Sequence, residues 1–220
     1  MDDLDPARGM VSFDPATMST ADTYKLMTGS VVPRPIALVA SLGPAGANAA
    51  PFSFFNAVAV DPPTVVFSVS PRDGGAKDTL ANIRELPEFV VHIVSSGLAE
   101  AMNICATAFP RGTDEIAEAG FRTAPSLKVR PPRIVDCPVQ LECRLVQLLP
   151  IGRMPYHLVI GEVVQFHYHA GLVNERFHVD AGQLDALGRL AGNGGYTRIT
   201  DRFFMPMLSV EEARAKTRRR

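Results

Sequence analysis

Two long, partly alternating apolar runs constrain this chain most: Val139 to Leu149, and Leu158 to Tyr168. Only Pro150-Ile151-Gly152-Arg153-Met154-Pro155 separates them. Side chains alternate across a strand, so each run reads as a strand, and a connection this short suits an antiparallel pair in a sheet that curls on itself. Upstream, Ile36 to Ser41 reads as a strand, Gly43-Pro44-Ala45-Gly46 as a turn and Ala47 to Ser53 as the return. Asp61-Pro62-Pro63 is a further turn before Thr64 to Ser70, an apolar run rich in β-branched residues that reads as a buried strand. Phe89 to Val94 follows the breaker Pro87 as another strand. Helical patterns lie between: a short helix capped near Ser19, Asp78 to Leu86, Leu98 to Ala106 and Asp114 to Ala119. After Gly171 the pattern predicts a short strand, then a helix around Ala181 to Leu187. Strand-rich halves around a helical middle, without βαβ alternation, argue against a doubly wound Rossmann sheet. A six-stranded antiparallel barrel, mainly β with peripheral helices, fits.

Charge and cysteine content narrow the function classes. The 220 residues are 46% hydrophobic and 20% charged, with a net charge of −1, so no global field favours nucleic acid or membrane. The exception is Arg214-Ala215-Lys216-Thr217-Arg218-Arg219-Arg220, which holds five of the 22 basic residues and reads as a solvated terminus. Cys105, Cys137 and Cys143 make an odd set without CxxC spacing, the pattern of buried thiols in a reducing compartment. The acidic start, Met1 to Asp5, lacks a signal peptide's basic and apolar regions, and no apolar run approaches a bilayer span, so a cytoplasmic location is expected.

Candidate chemistry concentrates between Asn48 and Asn82. Pro51-Phe52-Ser53-Phe54-Phe55-Asn56 packs three aromatics around a hydroxyl and ends in an amide. Consecutive phenylalanines in a strand face opposite ways, so Phe54 and Phe55 cannot fill one core layer, and one is available to lie beside a planar ligand. Gly74-Gly75-Ala76-Lys77-Asp78-Thr79 then leads a glycine pair into a cation, a helix start and a hydroxyl. Backbone N–H groups and a point charge in this order suit an anion, although the Walker A spacing is absent. Asp78 reads as the helix cap, since it would repel a phosphate it faced. Arg34 sits between Pro33 and Pro35, which hold its backbone extended and give its guanidinium a defined origin. His167 and His169 share a strand face, but no Cys or carboxylate stands at ligand spacing, so no metal is expected. Gly192-Asn193-Gly194-Gly195 does not open a helix after a first strand and is not a dinucleotide fingerprint.

Five segments, in order, resemble the flavin reductase-like proteins with an FMN-binding split barrel. These are Arg34 to Val39, Asn48 to Asn56, Lys77-Asp78-Thr79 with Asn82-Ile83, Tyr156 to Val164, and Leu187-Gly188-Arg189-Leu190 running on to Gly195-Tyr196-Thr197-Arg198. The resemblance covers residues 28–202, leaving an arm and short helix in 1–27 and an extension with the basic tail in 203–220. It implies a six-stranded antiparallel split β-barrel that binds FMN and takes hydride from NADH or NADPH. Arg34, Lys77 and Thr79 would hold the phosphate, with Asp78 ordering the turn. Ser53, Phe54, Phe55 and Asn56 would orient the ring, with Arg189 and Tyr196 near the cofactor or a partner subunit. The flavin carries the chemistry, so no catalytic residue is required, and a nicotinamide would stack on the flavin rather than in its own crevice. A homodimer is implied, with a monooxygenase or other electron acceptor as possible partner. A flavoredoxin-like electron carrier, or an enzyme reducing an organic substrate with tightly bound FMN, needs the same shelf.

Overall fold

The computed structural model describes residues 9–72 and 75–217, with side chains through residue 215. In chain order the elements begin with α1 (Thr20–Ser30), β1 (Arg34–Pro35), β2 (Ala37–Gly43), β3 (Gly46–Phe52), β4 (Phe55–Val60) and β5 (Pro63–Val69). Then come α2 (Asp78–Glu85), β6 (Glu88–Ile93), a 3₁₀ turn at Ser96–Leu98, α3 (Ala99–Ile104), α4 (Glu115–Glu118), β7 (Thr123–Ala124) and β8 (Arg133–Ile134). The chain ends with β9 (Val139–Ile151), β10 (Tyr156–Tyr168), α5 (Ala181–Leu184), β11 (Leu187–Arg189), β12 (Tyr196–Arg198) and α6 (Val210–Thr217). Among the described residues no helix is long and apolar enough to cross a membrane.

The fold is a split barrel. Its main sheet runs β3-β2-β6-β9-β10-β5-β4, and every pairing in it is antiparallel. The seven ladder strands reduce to the six expected because β3 and β4, at opposite edges, are one extended stretch interrupted at Ser53-Phe54. That break lets a single stretch serve both edges, and Ser68 N–H donates to Phe54 O across it at 2.8 Å. β9 and β10 pair over most of their length, with irregularities at Ile160/Gly161 and Val163/Gln165. Such bulges add local twist and help the long hairpin curl. At Gly161 the Phe89 ring lies where a Cβ would stand, so only glycine allows this approach.

Both faces of β2 and β6 are covered, which is why they are buried continuously rather than in alternation. Val39, Phe52, Phe67, Phe89, Leu141 and Val159 fill the barrel interior. Leu38, Val90, Met102, Ile116, Ile134 and Cys137 form a second core beneath the helical segment outside it. β5 buries only alternate residues, Val65, Phe67 and Val69, so the run read as a buried strand has one covered face. All three thiols are buried and none is in a disulfide; burial pushes those of Cys105 and Cys137 up to about 12.

A polar tie joins the outer segment to the barrel. The buried Glu142 carboxylate accepts the N–H groups of Leu127 and Lys128 at 2.8 and 2.6 Å and His167 Nε2 at 2.7 Å. Burial opposes ionisation there, but those hydrogen bonds outweigh it and hold the carboxyl below its ordinary value. His167 is thus a structural partner rather than a solvent-facing strand end, whereas exposed His169 meets Val135 O at 2.8 Å.

Two expectations for the region after Gly171 are corrected. No strand forms there, only a single bridge between Val173 and Val179, because Phe177 adopts φ 61° and turns the chain. The helix stops at Leu184 instead of Leu187, since Asp185 is left-handed at φ 43° and accepts the Ser96 hydroxyl. The freed residues Leu187–Arg189 become β11, which pairs with β1.

Candidate functional site

Lys77, Asp78 and Thr79 stand together at the start of α2, on the wall of a cavity of about 400 Å³. Asn48, Pro51, Arg72, Ala106 and Glu115 also line it. A helix leaves its first amides without intrahelical acceptors. Here the N-cap is Lys77, which makes no side-chain capping bond. The expected role of Asp78 as cap is corrected: its carboxylate pairs with Arg111 Nε at 3.1 Å, and Arg111 also donates to Ala76 O at 2.8 Å. An uncapped helix start beside a lysine presents positive potential to the cavity. Burial, with Arg72 nearby, lowers the pKa of the Lys77 ammonium, which lies 5.7 Å from the centre of the Phe52 ring. Thr79 is buried, its hydroxyl 3.5 Å from Asn48 Oδ1. The turn before Lys77 requires Gly75 at φ 128°, while its neighbour Gly74 lies outside the described residues.

Pro51 and Ala106 also line a smaller hollow of about 190 Å³. Ser53, Arg189 and Tyr196 meet here with Tyr24, Met102 and Asn103. The Arg189 guanidinium lies over the Tyr196 ring at 4.5 Å and donates to Gly192 O at 3.3 Å. The remaining expected residues fall elsewhere. Phe54 is on the outer surface, stacked on Tyr156 with ring centres 6.2 Å apart, while Phe55 packs against the barrel core. Asn56 is exposed, and its side-chain oxygen accepts the N–H of Ala57 at 2.9 Å.

Arg34 is positioned differently from a free phosphate clamp. It is 5% exposed, and Nη1 donates to Thr28 O at 2.6 Å and Val31 O at 2.8 Å. Nη2 donates to Ala191 O at 3.0 Å, and Nε approaches Ser53 Oγ at 3.5 Å. Four of the five N–H groups a guanidinium offers are therefore directed at protein atoms. Arg34 joins the end of α1 to the loop after β11, and reaches Ser53 and, at 5.9 Å, the face of the Phe54 ring.

Three polar lining residues carried no individual signal in the sequence. Asn48 lay in a matching segment without being singled out, Arg72 stood in an ordinary loop, and Glu115 read as one more acid in a short helix. Burial, together with repulsion from Asp78, pushes the Glu115 carboxyl up to about 7, against the opposing pull of Asn48, Arg72 and Lys77.

The structure is thus a split barrel with an uncapped helix start opening on a cavity beside it. Residues 28–188 match the flavin reductase like domain, and the chain belongs to that family. An uncharacterised protein of Deinococcus radiodurans is 41% identical over 208 residues, 91% of each chain. Nitrilotriacetate monooxygenase component B from Bacillus cereus is 36% identical, with a TM-score of 0.85 over 89% of this chain and 98% of its own. The 2-nitrobenzoate 2-nitroreductase of Pseudomonas fluorescens is likewise 36% identical, with a TM-score of 0.83 over 91% of this chain and 98% of its own.

Proposed function

We propose that this chain is an FMN-binding, NAD(P)H-dependent flavin reductase. The observation that carries the reading is the uncapped start of α2, with Lys77 and Thr79, opening on a cavity that shares Pro51 and Ala106 with a smaller hollow at Ser53. The residues fit the cofactor: the cavity offers backbone amides and an ammonium for a phosphate, and the hollow offers Ser53, Asn103 and aromatic edges for a polar planar ring. When bound, FMN supplies a ring that accepts hydride from NADH or NADPH and passes electrons onward. The chain's own part is to hold the phosphate through Lys77 and the α2 amides, to orient the ring through Ser53, and to leave one ring face accessible. Arg189, braced on Tyr196, stands beside that hollow as a cation for an anionic second ligand or for reduced flavin.

Purified protein should bind FMN with the absorbance of an oxidised flavin, and anaerobic NADH or NADPH should bleach it within seconds to minutes. A yellow protein that ignores both nicotinamides supports an electron carrier instead. The resemblance to a 2-nitrobenzoate nitroreductase favours a second reading, in which the final acceptor is organic. Under that reading a nitroaromatic restores the colour of the bleached protein without oxygen.

A homodimer accompanies this function. The exposed apolar residues Val58 and Val60 of β4, and Phe203, Phe204, Met205 and Met207 near the end of the chain, support a second copy as their cover. Sedimentation equilibrium should then give twice the chain mass, and a monomer at micromolar concentration would count against it.

A further inference from the structure

We propose that Glu115 is itself a ligand of the phosphate that enters the cavity beside Lys77, taking up a proton as the ligand binds and donating it as an O–H hydrogen bond. The inference rests on the FMN reading and adds a residue which that reading does not need. Glu115 opens α4 and lines the same cavity as Lys77 and Thr79. Its Oε2 accepts from Asn48 Nδ2 at 2.8 Å, and Asn48 Oδ1 in turn faces the Thr79 hydroxyl. A chain of polar groups therefore runs from the carboxyl to the start of α2. The carboxyl is anchored toward the anion subsite and not swung into solvent.

An ionised carboxylate there would oppose a phosphate, whereas a neutral acid adds a donor to its oxygens. The surrounding charges make that switch accessible. Lys77 and Asp78 face Glu115 from α2 and Arg72 from the loop after β5. Also beside it are Asp114, just before it, and the buried Cys105, whose thiol donates to Glu115 O at 3.5 Å, while Arg111 is bound to Asp78. Burial and Asp78 oppose ionisation, while Asn48, Arg72 and Lys77 favour it. With the carboxyl of the free protein poised at about 7, an arriving phosphate adds negative charge and moves it further up. The proton comes from solvent and returns when the ligand leaves.

The sign follows from proton linkage. The complex binds more protons than the free protein, so affinity is full below pH 7 and falls above it, by at most about tenfold per pH unit. Titration of the phosphate itself acts oppositely, because its second charge appears near pH 6 and strengthens binding as pH rises. Riboflavin, lacking the phosphate, reports everything unconnected with this subsite.

The test is FMN and riboflavin affinity between pH 6 and 9, by quenching of flavin fluorescence, for the wild type and Glu115→Gln. Glutamine keeps an acceptor for Asn48 and stays neutral. The expected result is a fall in wild-type FMN affinity of about ten- to a hundredfold from pH 7 to 9. Riboflavin should be nearly flat, and Glu115→Gln should bind FMN without that fall. Calorimetry in buffers of different ionisation enthalpy should show uptake of up to about one proton by the wild type near pH 8, absent from the variant. If FMN binds with the same pH slope in both proteins, Glu115 has no such role, while the flavin reading stands. If neither flavin binds at any pH, the flavin reading fails and this inference falls with it.

Discussion

Replacing Lys77 with alanine is expected to lower FMN affinity about ten- to a hundredfold and to leave riboflavin affinity nearly unchanged. The magnitude follows from losing one charge-assisted hydrogen bond, about 1.5–3 kcal/mol, at roughly 1.4 kcal/mol per decade. Lys77 is suited to this because its ammonium has left bulk water and stands over the Phe52 ring beside the open amides of α2. Since Lys77 is also the N-cap, Lys77→Met is the companion variant; it keeps an unbranched side chain of similar length and removes the charge. Affinities for FMN and riboflavin, measured side by side, separate a phosphate contact from a damaged pocket. Equal losses for both flavins would mean that α2 had shifted and that the phosphate lies elsewhere.

Arg34→Ala, by contrast, lowers the melting temperature by about 6–12 °C. Removing the guanidinium strands the carbonyls of Thr28, Val31 and Ala191 around a buried gap. A loss of about 3 kcal/mol is expected for groups desolvated in this way, and each kcal/mol corresponds to roughly 2–4 °C in a chain of this size. Arg34→Lys should recover only part of that, because a point charge cannot serve three carbonyls in the geometry of a planar fork. FMN and riboflavin should weaken together as α1 and the loop after β11 loosen around Ser53. An unchanged melting temperature with a loss confined to FMN would return Arg34 to the phosphate.

These two residues show where reading along the chain succeeds and where it stops. The long hairpin was legible because period-two alternation and a short polar connection are local properties, and β9 and β10 pair over almost the whole of the two runs. The opposite facing of Phe54 and Phe55 was legible for the same reason. The cluster at Lys77 and Thr79 was legible because both residues belong to one helix start. The strand and longer helix expected after Gly171 failed on single backbone conformations, the positive φ of Phe177 and Asp185, which neither residue type announces.

Sequence by itself therefore determined the β-rich class, the sheet's long hairpin, the helix start at Asp78 and the family. Tertiary structure alone decided what each polar side chain does there. Asp78 suits a cap or a first turn equally well, and Arg111, arriving from a distant loop, settles it as an ion-pair partner. Arg34 reads as a cation free to hold a phosphate until the end of α1 and the loop after β11 bring three carbonyls to it. Glu115 is an ordinary helix acid until Asn48, Asp78 and burial surround its carboxyl. In each case the deciding energy is the desolvation of a charged group and its choice of partner, and that depends on chain segments which only the fold brings together.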